Sequence, residues 1–282
     1  MKRLFEEKGY HVAILTRKPS TEASMFQWDV KNNFIDPGAF ENTDVIIQLA
    51  GRNIAEGRWT AERKKEIIDS RVKSIALIYE KLKSTHHRVK TVIVASAIGI
   101  YGDTGDQWVD ESSSVAHDFL GETCSRLEAE ANKFSGLGIR LVIFRIGIVL
   151  DKNGGALPQL AVPLKYFMGS PLGSGKQFMS WVHVDDLSAV FLKAVEDETM
   201  KGTYNAVAPC PVTNKEFMRM LAKVMHRPLL PFTVPALFIN LILGEKAKIV
   251  LEGQRVSGRK IQEAGFRFKY EDAEKALTAI YK

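Results

Sequence analysis

Five short stretches carry residue types that could hold or transform a ligand. Thr16-Arg17-Lys18 sets two cations side by side, and an arginine there is a bidentate charged donor suited to a phosphate. Gln48-Leu49-Ala50-Gly51 ends in a glycine, which lets backbone approach a ligand closely. Ser96-Ala97-Ile98-Gly99-Ile100-Tyr101-Gly102-Asp103 offers a hydroxyl and, five residues on, a phenol. Arg145-Ile146-Gly147 joins a cation to another glycine. Trp181-Val182-His183-Val184-Asp185-Asp186-Leu187 sets a histidine before two acids.

Single groups add to these. Lys176 follows Gly175, but Gly169 stands six residues before Gly175 and Gln177 replaces the hydroxyl residue, so no phosphate-binding P-loop is formed. Lys176 remains a cation for an anionic substrate, and Arg255 and Arg259 are two more. His183 is a candidate ligand or acid/base group, although a strand-edge histidine bonded to backbone is commoner. Cys124 has no adjacent base in the sequence and reads as a structural thiol.

The elements that must position these residues follow from hydropathy. Continuous apolar runs at 11–16, 44–50, 91–96 and 139–145, with a short one at 203–207, are strands of a parallel sheet covered on both faces. Ile68, Val72, Ile75, Tyr79 and Leu82 mark one face of a helix from Thr60, a good N-cap. Further helices fit 118–133 and 185–195, and a short one ends near Gly9. Strand–helix alternation means βαβ units and a doubly wound α/β sheet, so ligands are expected beyond the carboxyl ends of the strands, where the five stretches fall. At the end of the first strand an acid would hold a ribose 2′-hydroxyl, whereas Arg17 suits a 2′-phosphate. Glycine and proline become frequent after residue 150. The expected division is therefore 1–150 with 181–209 as a Rossmann-type domain, and 151–180 with 210–282 as a smaller C-terminal α/β lobe.

Composition narrows the class. The 282 residues are 45% hydrophobic and 26% charged, with net charge +6, which excludes a disordered or collagen-like chain. That excess of positive charge is mild; it suits anionic small molecules and argues against nucleic acid. Two distant cysteines suggest a reducing compartment, hence the cytoplasm, and no zinc-finger spacing points to a metal. The first residues lack the apolar core of a signal peptide, and the run at 236–243 is too short to span a bilayer, so no membrane partner is expected.

Together the five stretches resemble the extended short-chain dehydrogenase/reductase superfamily. Leu49-Ala50-Gly51-Arg52-Asn53-Ile54, Arg58-Trp59-Thr60 and Ser70-Arg71 sharpen the resemblance. So do Gly173-Ser174-Gly175-Lys176-Gln177-Phe178, Trp181-Val182-His183, Asn205-Ala206-Val207-Ala208-Pro209 and Leu251-Glu252-Gly253-Gln254-Arg255-Val256. The chain is similar, over nearly its whole length, to an atypical NAD-dependent epimerase/dehydratase-like branch with a C-terminal domain of unknown function. The resemblance implies NADP(H) as cofactor, in agreement with Arg17. It also implies a small-molecule substrate, polar or nucleotide-linked, and leaves a homodimer open.

Three departures qualify what the resemblance implies. The superfamily pattern opens with a strand and a Gly-x-x-Gly-x-x-Gly turn, and this sequence opens inside the helix that follows. A missing opening segment is favoured over a functional deletion, which would remove a central strand and the phosphate cradle. The catalytic Tyr-x-x-x-Lys is absent: one register puts Leu120 and Cys124 at its positions, another Glu122 and Arg126. The latter is also an ordinary solvated i,i+4 pair. Tyr79-Glu80-Lys81-Leu82-Lys83 matches the pattern, but on the wrong helix. The superfamily serine position is Ala97, with Ser96 one residue away. The expected contacts are therefore Arg17, Lys18, Leu49, Ala50, Gly51, Ser96, Ala97, Arg145, Ile146 and Gly147 for the cofactor, and Lys176, His183 and Arg255 for the substrate. Tyr101, Ser96 and Glu122 are the candidates for catalysis, in an oxidoreductase or epimerase. A non-catalytic NADP(H)-binding sensor or scaffold is the alternative.

Overall fold

The two longest apolar runs form the centre of the sheet. β5 (Thr91–Ala97) lies between β4 (Val45–Gln48) and β7 (Arg140–Ile146), and β11 (Gly202–Ala206) completes a parallel sheet of order β11-β7-β5-β4. The computed structural model describes residues 1–18 and 20–282. Alternate side chains of the central strands face opposite layers. Val92, Val94, Leu141 and Ile143 pack with α3 (Ala61–Ser84) and α4 (Phe119–Asn132). Ile93, Val142 and Phe144 pack with α6 (Val184–Glu196). This two-sided burial is the reason the runs are continuously apolar rather than alternating.

The helices begin where their caps predict. Thr60 Oγ1 accepts from the Arg63 N–H at 3.2 Å to start α3, and Asp118 Oδ1 accepts from the Gly121 N–H at 2.8 Å to start α4. The strand expected at 11–16 is shorter. Only β1 (Ile14–Thr16) pairs, with β2 (Met25–Asp29), because β2 begins opposite Ile14 and no other strand reaches residues 11–13 among the described residues. A short β3 (Phe34–Ile35) closes this three-stranded sheet. α1 (Lys2–Glu7) and α2 (Gly38–Glu41) flank it in sequence.

The remaining elements are short. β6 (Trp108–Val109) pairs with β13 (Arg255–Val256), β8 (Ile148–Leu150) with β10 (Trp181–His183), and β9 (Phe178–Met179) with β12 (Val212–Thr213). A separate apolar cluster around Trp181 gathers α5 (Ala156–Lys165), α7 (Asn214–Val224) and α11 (Ala273–Tyr281). α8 (Ala236–Leu243), α9 (Lys248–Leu251) and α10 (Arg259–Glu263) complete the helices. Among the described residues, no helix is long and apolar enough to cross a membrane.

Phe144 measures how much this layering contributes. Its side chain is fully buried, 5.1 Å from the Phe191 ring and 6.3 Å from the Tyr204 ring. Phe144→Ala is expected to lose about 3–5 kcal/mol of stability in urea unfolding. A loss under about 1 kcal/mol would show that the β7–α6 contact is not tightly packed.

Candidate functional site

The register of α4 decides which residues meet at the end of β5. Its buried positions include Cys124, Leu127, Glu128 and Ala131, an i, i+3, i+4, i+7 stripe. Leu120 lies against Gly99, where an added Cβ would be 3.4 Å from the Leu120 Cβ. Leu120 and Cys124 therefore face the strand end. Glu122 and Arg126 face outward: their side chains are 49% and 60% exposed, and the Arg126 Nη2 meets the Glu122 carboxylate at 2.6 Å. Glu122 is thus separated from Ser96 and Tyr101 and sits in the ordinary solvated pair. Tyr79, on α3, packs in the same layer as α4, edge-on against Phe134 at 5.8 Å and away from the end of β5.

Behind the strand end lies a buried polar network. Arg145 donates from Nε and Nη2 to the two carboxylate oxygens of Glu128, at 3.0 and 2.8 Å. The Ser96 hydroxyl donates to the same carboxylate at 2.7 Å. Arg145 Nη1 donates to the Tyr101 hydroxyl at 2.9 Å, and that hydroxyl donates to Asn205 Oδ1 at 2.7 Å. Asn205 passes the chain to the Ser257 carbonyl at 3.1 Å, while its own N–H is taken by Glu111 at 2.6 Å. Burial works against the Arg145 charge, but bonds to Glu128 and Tyr101 outweigh it and raise the guanidinium above its usual range. Burial pushes the Tyr101 phenol up to about 12, despite the downward pull of Arg145 and Asn205. Burial, with the nearby Glu128 charge, likewise pushes the Cys124 thiol up to about 11.

Two expected site residues are thereby placed in the frame of the molecule. The Arg145 guanidinium and the Ser96 hydroxyl are both occupied by Glu128, a residue sequence reasoning passed over. The signal was present: Glu128 falls in the apolar stripe of α4, and a buried arginine at the end of a central strand requires a carboxylate.

In front of the network the carboxyl ends are open. Arg17 and Lys18 are exposed after β1 and form no ion pair among the described residues. Leu49, after β4, is 54% exposed. Gly51 and Ala97 are exposed, and Ala50, Ile146 and Gly147 are half-buried. Gly147 needs its missing side chain, because a Cβ there would lie 2.6 Å from the Ser180 carbonyl. The loop after β4 is held by α3: Gln48 Nε2 donates to Ser74 Oγ, the Ala50 N–H to Gln48 Oε1, and the Arg52 N–H to Ser70 Oγ.

The substrate-side candidates do not converge on this strip. Lys176 is exposed on a loop whose Gly175 has φ +70°. His183 is buried and caps α6, its Nδ1 accepting from the Asp185 N–H at 3.1 Å and its ring lying 4.0 Å from Tyr270. Burial lowers its pKa, which keeps the cap neutral. Arg255 is sandwiched between Trp108 and Phe178 at 4.5 and 4.6 Å, and Nη1 donates to the Asp106 carbonyl. No hydrogen bond joins any of the three to the strip among the described residues.

Known proteins resemble this chain in sequence and fold. Residues 1–124 match the NAD dependent epimerase/dehydratase family, and residues 234–280 match a domain of unknown function, DUF1731. The epimerase family protein YfhF of Bacillus subtilis (strain 168) is 36% identical over 279 residues, covering 97% of this chain and 90% of YfhF. The chain belongs to the epimerase family. Another epimerase family protein, SAR0825 of Staphylococcus aureus (strain MRSA252), is 37% identical and covers 96% of this chain and 90% of its own. Among solved structures, the human epimerase family protein SDR39U1 with NADPH superposes with a TM-score of 0.91 at 27% identity, covering 99% of this chain and 94% of that one. A UDP-galactose 4-epimerase at 17% identity, TM-score 0.74, shares the fold.

Two outcomes follow from this epimerase-family site. Ellman titration of native protein at pH 8 should modify the exposed Cys210 and leave Cys124 until the protein unfolds. Two thiols reacting at once would contradict the burial of Cys124. Glu128→Leu strands the Arg145 charge and should cost about 3–5 kcal/mol in denaturant unfolding. A loss near zero would show that the pair is dispensable.

Proposed function

We propose that this protein binds NADP(H) along the carboxyl ends of β1, β4, β5 and β7, and that it does so without the tyrosine–lysine proton relay of its superfamily. The strip fits the cofactor by its donor set. Arg17 and Lys18 are unpaired cations for a 2′-phosphate, Leu49 is an exposed apolar contact, and Ala50, Gly51, Ala97, Ile146 and Gly147 offer accessible backbone. When bound, the dinucleotide would supply a hydride donor or acceptor. In this reading residues 1–150 and 181–209 form the dinucleotide lobe, and 151–180 with 210–282 form the smaller lobe beside it.

One observation carries the second half of the proposal. The register of α4 turns Leu120 and Cys124 toward the strand end, which supports the register that sets them at the superfamily's tyrosine and lysine positions. Leu120 has no proton to move, and Cys124 is a buried thiol pushed up to about 11. Tyr101 holds its proton to about 12 and Ser96 is bonded to Glu128, so neither is tuned for acid/base work near neutrality. These facts support a binding role, as a sensor or scaffold, over an oxidoreductase or epimerase that relies on Tyr101, Ser96 or Glu122.

The experiment is a pair of calorimetric titrations, NADPH and NADH, on the protein and on Arg17→Asp. NADPH should bind more tightly than NADH. Arg17→Asp should weaken NADPH about tenfold or more, the loss of one charge-assisted contact, and barely change NADH. Equal effects on both dinucleotides, or binding of neither, would overturn the proposal.

A further inference from the structure

Two partly or fully buried arginines near the central strands spend most of their donors on protein groups. Arg145 has Glu128, and Arg140 donates to the carbonyls of Ala194, Asp197 and Met200. Arg71, on the face of α3 that grips the loop after β4, has a single hydrogen bond, from Nη1 to the Ile67 carbonyl of its own helix at 3.0 Å. Four of its five N–H donors lack a protein partner, and no carboxylate pairs with it among the described residues. Burial lowers its pKa.

Its position is specific. The Arg71 side chain lies flat on Gly51: a Cβ on that glycine would stand 2.9 Å from Cζ, 3.1 Å from Cγ and 3.2 Å from Nε. The φ of Gly51 lies in the ordinary range, so the glycine serves this close approach rather than a turn. Cys124 is near enough for the Arg71 charge to pull its thiol pKa down, against the larger upward effect of burial. The α3 helix thus delivers a cation, from the side, to the place where α4 has a thiol. A half-buried guanidinium with N–H donors free of protein partners is a fork for a planar or tetrahedral anion.

We propose that Arg71, seated on Gly51 beside Cys124, is an anion-binding residue of this site that takes a phosphate or carboxylate group. The proposal rests on the strand-end site described above, not on the identity of its dinucleotide. The anion has two sources, a phosphate of the dinucleotide or a separate anionic ligand. The test uses Arg71→Met, which keeps bulk and removes charge, and Arg71→Lys, which keeps charge and removes the fork. Each variant is titrated with NADPH, and separately its melting temperature is followed with added malonate and with inorganic pyrophosphate.

If the dinucleotide supplies the anion, Arg71→Met weakens NADPH binding at least tenfold and Arg71→Lys restores part of it. If a second ligand supplies it, NADPH binding is unchanged and the rise in melting temperature given by malonate or pyrophosphate disappears in Arg71→Met. Wild-type responses to all three in a folded Arg71→Met overturn the proposal. Should that variant not fold, Gly51→Ala moves the guanidinium without removing it, and wild-type responses in both Gly51→Ala and Arg71→Lys overturn it equally. A protein that ignores NADPH yet needs Arg71 for its malonate or pyrophosphate response refutes the NADP(H) reading and leaves this site standing. NADPH binding that needs Arg17, with every response indifferent to Arg71, does the reverse.

Discussion

The bidentate pair of Arg145 and Glu128 is the contact around which the ligand-side end of this molecule is assembled. It joins the last turns of β7 to the middle of α4. Through Ser96 it reaches β5, and through Tyr101 and Asn205 it reaches β11 and the loop at Ser257. A charge pair this deep gives little net stability against an apolar alternative, but losing one partner is costly. Its effect is geometric: it fixes the register of α4, because only the face carrying Cys124, Leu127 and Glu128 can turn toward the sheet.

That register determines what the site can do. With Glu128 turned inward, Leu120 and Cys124 come to the strand end, and Glu122 and Arg126 must face water. The same network absorbs the polar groups that a catalytic account would recruit. A phenol donating to Asn205 and accepting from Arg145 is held neutral, since ionising it would leave a buried charge and break the bond to Asn205. What stays available is on the open side: the cations after β1, the exposed Leu49, the glycine backbone, and Arg71 above Gly51. In the proposed reading the site holds a charged, partly apolar ligand and does not shuttle protons through the superfamily's pair.

Much of the frame was legible in the sequence. Apolar runs marked the central strands because both of their faces are covered, and Thr60 and Asp118 marked helix starts because each caps a free N–H. Topology alone marked the strand ends as the expected ligand face. The register of α4 was not, since its tyrosine and lysine positions could be laid out two ways and only the inward glutamate settles the choice. His183 looked like a ligand candidate and proves to be a helix cap, a role set by the Asp185 N–H two residues on. Arg71 appeared only as part of a motif. That it lies on Gly51, twenty positions earlier in the chain, is a tertiary fact that no local pattern carries.

The polar groups behind the strand ends are committed to the frame, and the Tyr101 phenol stays protonated near neutrality. The most direct test is an NMR pH titration of tyrosine-labelled protein, with the Tyr101 resonance assigned by Tyr101→Phe. Tyr101 should stay neutral through pH 10 and ionise last, at about 12, with or without NADPH present. The unfolded chain would ionise that phenol near its ordinary value, so stability should fall as pH rises from 10 toward 12. A Tyr101 resonance that titrates between about pH 6 and 9, or that begins to do so when NADPH is added, would mark a working acid/base group and contradict the account.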